Sequence, residues 1–245
     1  DVQLTVTSQF GCVDSITRSI TIYELPDVSF TAPDVCIGEA TEFTNTSTSA
    51  DGIVDDVMWS FGTGDVSIQP TPSYTYDVPG VYNPMLTVET SLGCVDSASI
   101  ATVVHDLPDP SIIALGPTSF CDGDSVTLRG ASTAAGYSWS SGETTQQITV
   151  SESGTYELIV TSNFGCLDSS SIDVTVFELP VADAGEDTTI SLGYSVVLTG
   201  FGGVAYEWSP TESLDNEFLQ FPTATPTATT TYSVTVTDEN GCVGT

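Results

Sequence analysis

The chain has 245 residues, with 33 acidic side chains, two arginines and no lysine, and its formal net charge is −31. Such a charge repels nucleic acid and anionic membrane surfaces, which excludes both as partners. No apolar run approaches the ~18 residues that a membrane-spanning helix needs, and no charged-then-apolar secretion signal opens the chain. Short Val, Ile, Leu, Thr and Tyr runs are broken by Gly, Pro, Asn, Asp and Ser, which predicts an all-β fold.

One segment occurs three times along the chain and begins a fourth time. Its copies are FGCVDSITRSITIYELP (10–26), LGCVDSASIATVVHDLP (92–108), FGCLDSSSIDVTVFELP (164–180) and the opening NGCVGT (240–245). The glycines of successive Gly-Cys pairs are 82, 72 and 76 residues apart. Each spacing suits one small β-sandwich domain, so the chain is a tandem repeat.

Within each repeat, an alternating strand leads into Gly-Cys, a second alternating strand follows, and Glu-Leu-Pro or Asp-Leu-Pro closes the unit. The predicted strands are 2–7, 15–23, 82–89, 98–104, 155–161, 171–177 and 232–237. Alternation of period two buries one face of a strand and leaves the other in water. A tryptophan strand follows the opening half of each repeat, so Trp59, Trp139 and Trp208 are predicted core anchors.

These elements predict four segments. Residues 1–25 are the last two strands of a preceding repeat, 26–107 and 108–179 are whole sandwiches, and 180–245 is a sandwich that lacks its final strand. An unfinished sandwich leaves an open edge. Either the polypeptide continues in both directions, or the N-terminal strand of one copy completes the C-terminal domain of another.

Residues 59–94 carry a family signature. The motif W-x-F-G-x-G, a P-x-x-x-Y run and a P-G-x-Y-x-x-x-L-x-V strand all occur, and the stretch resembles the polycystic kidney disease (PKD) domain. Ser60 and Thr63 stand where the family usually has acidic residues, a departure that argues against calcium binding by this loop. The matching residues are Trp59, Phe61, Gly62, Gly64, Pro72, Tyr76, Pro79, Gly80, Tyr82, Leu86 and Val88. The resemblance implies a PKD-type immunoglobulin-like sandwich.

The third and fourth repeats resemble the immunoglobulin-like repeats of very large secreted surface proteins of Bacteroidetes, which include gliding-motility adhesins exported by the type IX system. Their matching stretches are YSWSSGETTQQITVSESGTYELIVTSNFGC and YEWSPTESLDNEFLQFPTATPTATTTYSVTVTDENGC. The resemblance implies tandem sandwiches arranged head to tail as a rod, at a bacterial cell surface. Neighbouring repeats, or identical chains in a filament, are the implied partners.

Two functional hypotheses follow, and neither is enzymatic. The first is a structural or adhesive surface filament; the second is a carbohydrate- or protein-binding array attached to a secreted hydrolase. A binding array needs an exposed aromatic platform, and the only local surplus of aromatic residues, Tyr206, Phe218 and Phe221, is interpreted as core packing. His105, the single histidine, is interpreted as a linker residue, which leaves no partnered catalytic base.

Six cysteines without a CxxC pair suit an oxidising, extracellular setting. In an immunoglobulin topology the two cysteine-bearing turns of one repeat lie at opposite ends, and a disulfide requires α-carbons within ~7 Å. The favoured pairs therefore join neighbouring repeats. They are Cys36–Cys166 and Cys121–Cys242, and the alternative pairs are Cys36–Cys94 and Cys121–Cys166 within domains.

No cofactor is predicted, and calcium is the one ion considered. Its weak ligand candidates are Asp122, Asp124, Asp183 and Asp187, none of which follows EF-hand spacing. Asp-Ser and Asp-Thr steps followed by an aliphatic residue or threonine resemble O-glycosylation sites of the same bacterial group, although ordinary turns explain them equally well. The hydroxyl residues at these steps are Ser15, Ser97, Ser125 and Thr188.

Overall fold

The computed structural model describes residues 1–131 and 133–245. Every regular element that it contains in these ranges is a β-strand, which confirms the all-β prediction. The chain divides into two compact units, Asp1–Leu107 and Pro108–Thr245. The division falls between two residues that the repeat pattern also separates, at the Leu-Pro step.

The first unit begins with a β-hairpin in which every side chain from residue 1 to residue 25 is exposed. Strand β1 (Val2–Thr7) pairs antiparallel with β2 (Val13–Arg18). The predicted second strand, 15–23, is therefore wrong beyond Arg18. The equivalent residues of the next two repeats pair with other strands of their own sandwich, whereas residues 19–23 have no such pairing.

The rest of the first unit is a sandwich. Its strands are β3 (Phe30–Thr31), β4 (Val35–Cys36), β5 (Ala40–Glu42), β6 (Thr44–Asn45), β7 (Val54–Ser60), β8 (Val66–Ser67), β9 (Ser73–Thr75), β10 (Gly80–Tyr82), β11 (Met85–Thr90), β12 (Val95–Ser99) and β13 (Thr102–His105). The two principal sheets have the strand orders β10-β13-β4 and β12-β11-β7-β8. The core contains nine buried residues, Phe30, Ala32, Phe43, Trp59, Phe61, Tyr76, Leu86, Val88 and Val104.

Two predicted strands of this sandwich, 82–89 and 98–104, are each divided in the structure. Pro84 has no N–H for a β-ladder and interrupts the first of them, so β10 ends before it and β11 begins after it. The facing strand divides at the same level into β12 and β13. Strands β10 and β13 pair in one sheet, whereas β11 and β12 pair in the other. The polypeptide therefore passes from one sheet to the other twice, once between β10 and β11 and once between β12 and β13.

The second unit begins with another sandwich. Its strands are β14 (Ile112–Ala114), β15 (Ser119–Cys121), β16 (Val126–Gly130), β17 (Gly136–Trp139), β18 (Gln147–Val150), β19 (Gly154–Thr161) and β20 (Leu167–Phe177). The sheets have the orders β14-β16-β18 and β15-β20-β19-β17. Strand β20 pairs antiparallel with β19 along its first part, and its last three residues pair parallel with β15.

The fourth repeat has a smaller core. Four buried residues form it, Tyr206, Trp208, Val234 and Val236, whereas the core of the preceding repeat has eight. The strands are β21 (Val196–Val197), β22 (Ala205–Ser209), β23 (Thr223–Ala224), β24 (Ser233–Thr237) and β25 (Val243–Gly244). The sheets are β21-β23 and β22-β24-β25.

Candidate functional site: cysteine turns and an exposed aromatic pair

The same tight turn presents all four cysteines of the Gly-Cys pairs. The residue four positions before each cysteine donates its backbone N–H to the cysteine carbonyl at 2.8–2.9 Å. The side-chain oxygen of that residue accepts the cysteine N–H at 2.7–3.2 Å. The glycine before each cysteine has a backbone φ angle between +80° and +86°, which residues with a side chain rarely adopt. The oxygen-bearing residues are Ser8, Thr90, Ser162 and Asp238.

A disulfide joins Cys121 to Cys242, which are 121 positions apart in the sequence and have their α-carbons 5.5 Å apart. Cys121 is the last residue of β15 in the third repeat, and Cys242 is a fully buried residue just before β25 in the fourth. The bond therefore links two successive repeats rather than the two ends of one sandwich. This is the pair that the sequence favours.

The other four cysteines differ in state. Cys36 and Cys166 are disulfide-bonded, and their predicted pairing with each other stays a prediction. Cys12 and Cys94 are free thiols. The alternative pairs within domains, Cys36–Cys94 and Cys121–Cys166, are wrong, because Cys94 is free and Cys121 bonds Cys242.

The three tryptophans lie in the cores, each at most 3% exposed. Their indole Nε1–H groups donate to backbone carbonyl oxygens, of Gln69 for Trp59, Thr145 for Trp139 and Leu219 for Trp208, at 2.9–3.0 Å. A buried indole needs such a partner to avoid an unsatisfied donor. Sequence reasoning missed this recurrent bond, because the acceptor is a main-chain atom at a variable distance along the chain.

Stacked rings and hydrogen bonds hold the loop after Trp59, where the PKD motif lies. Phe61 stacks on Tyr74 with ring centroids 4.3 Å apart, and the Tyr74 hydroxyl donates to Asp65. The hydrogen bond to Asp65 raises the pKa of Tyr74. Burial raises the pKa of Tyr76 to about 12, and its hydroxyl donates to the Phe61 carbonyl at 3.0 Å.

The four calcium candidates are all exposed and belong to turns or linkers. The backbone N–H of Asp124 donates to the Cys121 carbonyl, and the Asp183 carboxylate accepts the Gly185 N–H at 2.8 Å. Within residues 1–131 and 133–245, no group of three or more His, Cys, Asp or Glu side chains could hold a metal ion. The structure thus offers turn chemistry at these positions, as it does at two of the four suggested glycosylation sites, where Asp14 and Asp96 accept the N–H of Ser15 and Ser97. Ser125 and Thr188 are exposed as well.

His105 is not a linker residue, which corrects the sequence interpretation. It is the last residue of β13 and pairs with Cys36 of β4. Its side chain is 15% exposed, and its Nε2 atom lies 3.9 Å from the carboxylate of Asp34. The final strand of the repeat extends to this position, so the linker begins one residue later.

An exposed aromatic pair lies on the fourth repeat. Phe201 and Phe221 are 48% and 47% exposed, and their rings meet edge to face with centroids 6.1 Å apart. Phe218 is 62% exposed, whereas Tyr206 is buried. The interpretation of Phe218 and Phe221 as core packing is therefore wrong. Phe201 completes the pair and was missed, because its partner is 20 residues away in the sequence.

No helix within the described ranges is long and apolar enough to cross a membrane.

Comparison with known proteins places the PKD likeness on one third of the chain. Residues 24–104 match the PKD domain family. The PKD1 domain of Epp from Vibrio anguillarum is 26% identical over 35% of this chain and 99% of that domain, with a TM-score of 0.33. The PKD1 domain of the Vibrio cholerae metalloprotease PrtV is 27% identical over 33% of this chain and 98% of that domain, with a TM-score of 0.32.

Longer alignments are less similar in sequence. SGBP-B of the Bacteroides ovatus mixed-linkage glucan utilization locus, solved with a mixed-linkage heptasaccharide, is 16% identical. The alignment covers 90% of this chain and 66% of that protein, with a TM-score of 0.28. No curated protein matches the chain.

Proposed function

We propose that this chain is a non-catalytic structural and adhesive segment of an extracellular surface protein, in which tandem β-sandwiches form a stalk. The observation that carries the proposal is the bond between Cys121 and Cys242. A disulfide that served only domain stability would close one sandwich. This one joins two successive repeats and so resists separation of the two domains, as a stalk under tension requires.

The cysteine chemistry supports an extracellular location. Four of the six cysteines are in disulfides, and such bonds persist in oxidising compartments but not in a reducing cytosol. The match of residues 24–104 to the PKD domain family is consistent with this location. High acidity would keep a crowded surface array soluble through mutual repulsion.

We also propose that this chain has no catalytic activity of its own. His105, the single histidine, belongs to strand β13 of a sandwich, and its side chain is only 15% exposed, with Nε2 3.9 Å from the Asp34 carboxylate. General acid–base catalysis needs a proton-transferring group beside a bound substrate. The carboxylates at the repeat turns instead accept backbone N–H groups.

In its finer form, the proposal is a bacterial filament or stalk that serves attachment or gliding and leaves the cell by type IX secretion. Electron micrographs of the native material test it, with long fibres of regular axial repeat as the expected result. Small-angle X-ray scattering of the purified chain gives a second readout. We expect a radius of gyration at least half as large again as the ~18 Å of a compact globule of 245 residues. Compact particles and a radius near that value would contradict the stalk.

A second candidate function rests on the exposed Phe201–Phe221 pair. Aromatic faces exposed on a rigid sandwich can stack on sugar rings, so the fourth repeat would bind a polysaccharide. We expect at least one polysaccharide from a panel of glucans, mannans and chitin to retard the chain when it is included in a native gel. The double variant Phe201→Ala/Phe221→Ala should bind that polysaccharide at least tenfold more weakly.

The matched control for this experiment is Phe10→Ala, because Phe10 is a phenylalanine of the N-terminal hairpin that is 86% exposed. Equal weakening by the control, or no retardation by any of a panel of glucans, mannans and chitin, would remove the carbohydrate-binding candidate and leave the stalk.

A further inference from the structure

The linker between the third and fourth repeats is short and is held at both ends. Strand β20 ends at Phe177, which lies opposite Cys121 of β15 in a parallel pair. The fourth repeat takes up the chain at Asp183, whose backbone exchanges two hydrogen bonds with that of Phe201, at 2.9 and 3.1 Å. Five residues, 178–182, therefore connect one ladder to the next.

Two glycines of the fourth repeat lie against the middle of this linker. A β-carbon at Gly244, in β25, would collide with the carbonyl oxygen of Pro180. A β-carbon at Gly202 would collide with the carbonyl oxygen of Val181. Gly202 also has a backbone φ angle of +101°, which residues with a side chain rarely adopt. Two successive linker carbonyls thus occupy space that is available only because two residues have no side chain.

Gly244 departs from the repeated segment at the point where it meets the linker. The corresponding residue in the other three copies is an aspartate, Asp14, Asp96 or Asp168. Each of these carboxylates accepts the N–H of the following residue at 2.8–2.9 Å. In the fourth copy the side chain and its hydrogen bond are replaced by room for the Pro180 carbonyl.

The rest of the linker has little rotational freedom. Pro180 has a fixed φ angle and restricts the backbone of Leu179 before it. Ala182 packs against the core that contains Trp208. Glu178 and Leu179, which are exposed, precede the segment that the fourth repeat holds. The linker can therefore bend only over a very short stretch of chain.

We propose that Gly202 and Gly244 clamp the linker, so that the third and fourth repeats form one rigid body with a fixed relative orientation. The Cys121–Cys242 bond joins the same two repeats two residues before Gly244. A disulfide limits how far two domains can separate, whereas backbone contacts fix the path of the chain between them. The use of this stiffness rests on the stalk proposed above, but the clamp itself is tested separately.

Limited proteolysis of the full chain by a glutamate-specific endopeptidase tests the clamp. The tripeptide Glu-Leu-Pro occurs at both 24–26 and 178–180, and both glutamates are exposed, so the two sites are matched in sequence. Proteases cut segments that open locally. In the native wild type we expect cleavage after Glu178 to be at least about tenfold slower than after Glu24. Reducing gels are needed, because the Cys121–Cys242 bond holds the two products together.

Two variants should open the clamp. Gly244→Asp restores the residue that the other three copies carry, and Gly202→Ala adds a single carbon atom. Both force the Pro180–Val181 carbonyls to move, so cleavage after Glu178 should become about tenfold faster. Cleavage after Glu24 should stay unchanged in both variants.

Each variant has a matched control in the fourth repeat. Gly193 has a similar φ angle of +88° but open space around a β-carbon, so Gly193→Ala reports backbone strain alone. Val243 is 50% exposed, so Val243→Asp adds a carboxylate beside Gly244 without meeting the linker. Both controls should keep cleavage after Glu178 within about threefold of the wild type.

Residual dipolar couplings of the full chain give a second readout, since they report the relative orientation of folded domains. Couplings from β19 and β20 and those from β22 and β24 should fit one alignment tensor in the wild type and require two in Gly244→Asp. A wild type that requires two tensors, or that is cut equally fast after Glu24 and Glu178, overturns the clamp even where a variant fails to fold. Neither result bears on the fibres seen in micrographs, and absent fibres would overturn the stalk without touching the clamp.

Discussion

Replacing Cys121 and Cys242 together by serine should lower the free energy of unfolding of residues 108–245 by about 3–5 kcal/mol. The bond closes a loop of 121 positions, and chain-entropy estimates for loops of this length approach the upper end of that range. The fourth repeat has only four residues in its buried core. Because so small a core contributes little stability, we expect this repeat to depend strongly on the disulfide. Guanidinium denaturation followed by circular dichroism measures the change.

The control for this prediction is built into the chain. Cys12 is exposed and unbonded, so Cys12→Ser removes a sulfur atom without removing a crosslink. We expect that variant to match the wild type within about 0.5 kcal/mol. A loss below about 1 kcal/mol for the double variant would mean that the two repeats are stable without the bond.

Trp59→Ala should cost the first unit about 3–5 kcal/mol, the usual range for removing a buried aromatic side chain. Trp59 has no exposed surface, meets Phe30 edge to face at 5.2 Å and donates to the Gln69 carbonyl. The substitution removes the ring contacts and leaves that carbonyl without its partner. Differential scanning calorimetry, which separates the transitions of the two units, gives the loss.

Met58→Ala is the neighbouring control, because Met58 is 48% exposed on the same strand. Its expected cost is below about 1 kcal/mol. Trp59→Phe should fall between the two, since it keeps an aromatic ring but loses the indole N–H. Equal costs for Trp59→Ala and Met58→Ala would contradict the assignment of Trp59 as the centre of this core.

Local pattern was sufficient to predict the class of fold and the buried tryptophans. Period-two alternation and Gly-Cys turns depend on residues that are close together in the chain, so both can be recognised in the sequence. The division of β10 from β11 at Pro84 was missed, because an alternating pattern continues across the break while the chain moves from one sheet to the other. A proline inside an alternating run was the available signal.

The site was less predictable, because it depends on contacts between distant residues. The Cys121–Cys242 pair followed from the opposite placement of the two cysteine turns. The Phe201–Phe221 pair did not, since neither residue breaks the local pattern and an aromatic residue in a strand-rich repeat is ordinarily buried. His105 was placed in a linker by its nearness to Leu107 and Pro108, although the strand continues to that residue.

The central claim is that disulfides connect successive repeats, and a peptide map of the unreduced protein tests it most directly. Two arginines leave trypsin few sites, so cleavage at the 33 acidic residues is the better choice. We predict crosslinked peptides that pair Cys121 with Cys242 and Cys36 with Cys166, with Cys12 and Cys94 recovered as free thiols. Peptides that link Cys36 to Cys94, or Cys121 to Cys166, would contradict the account.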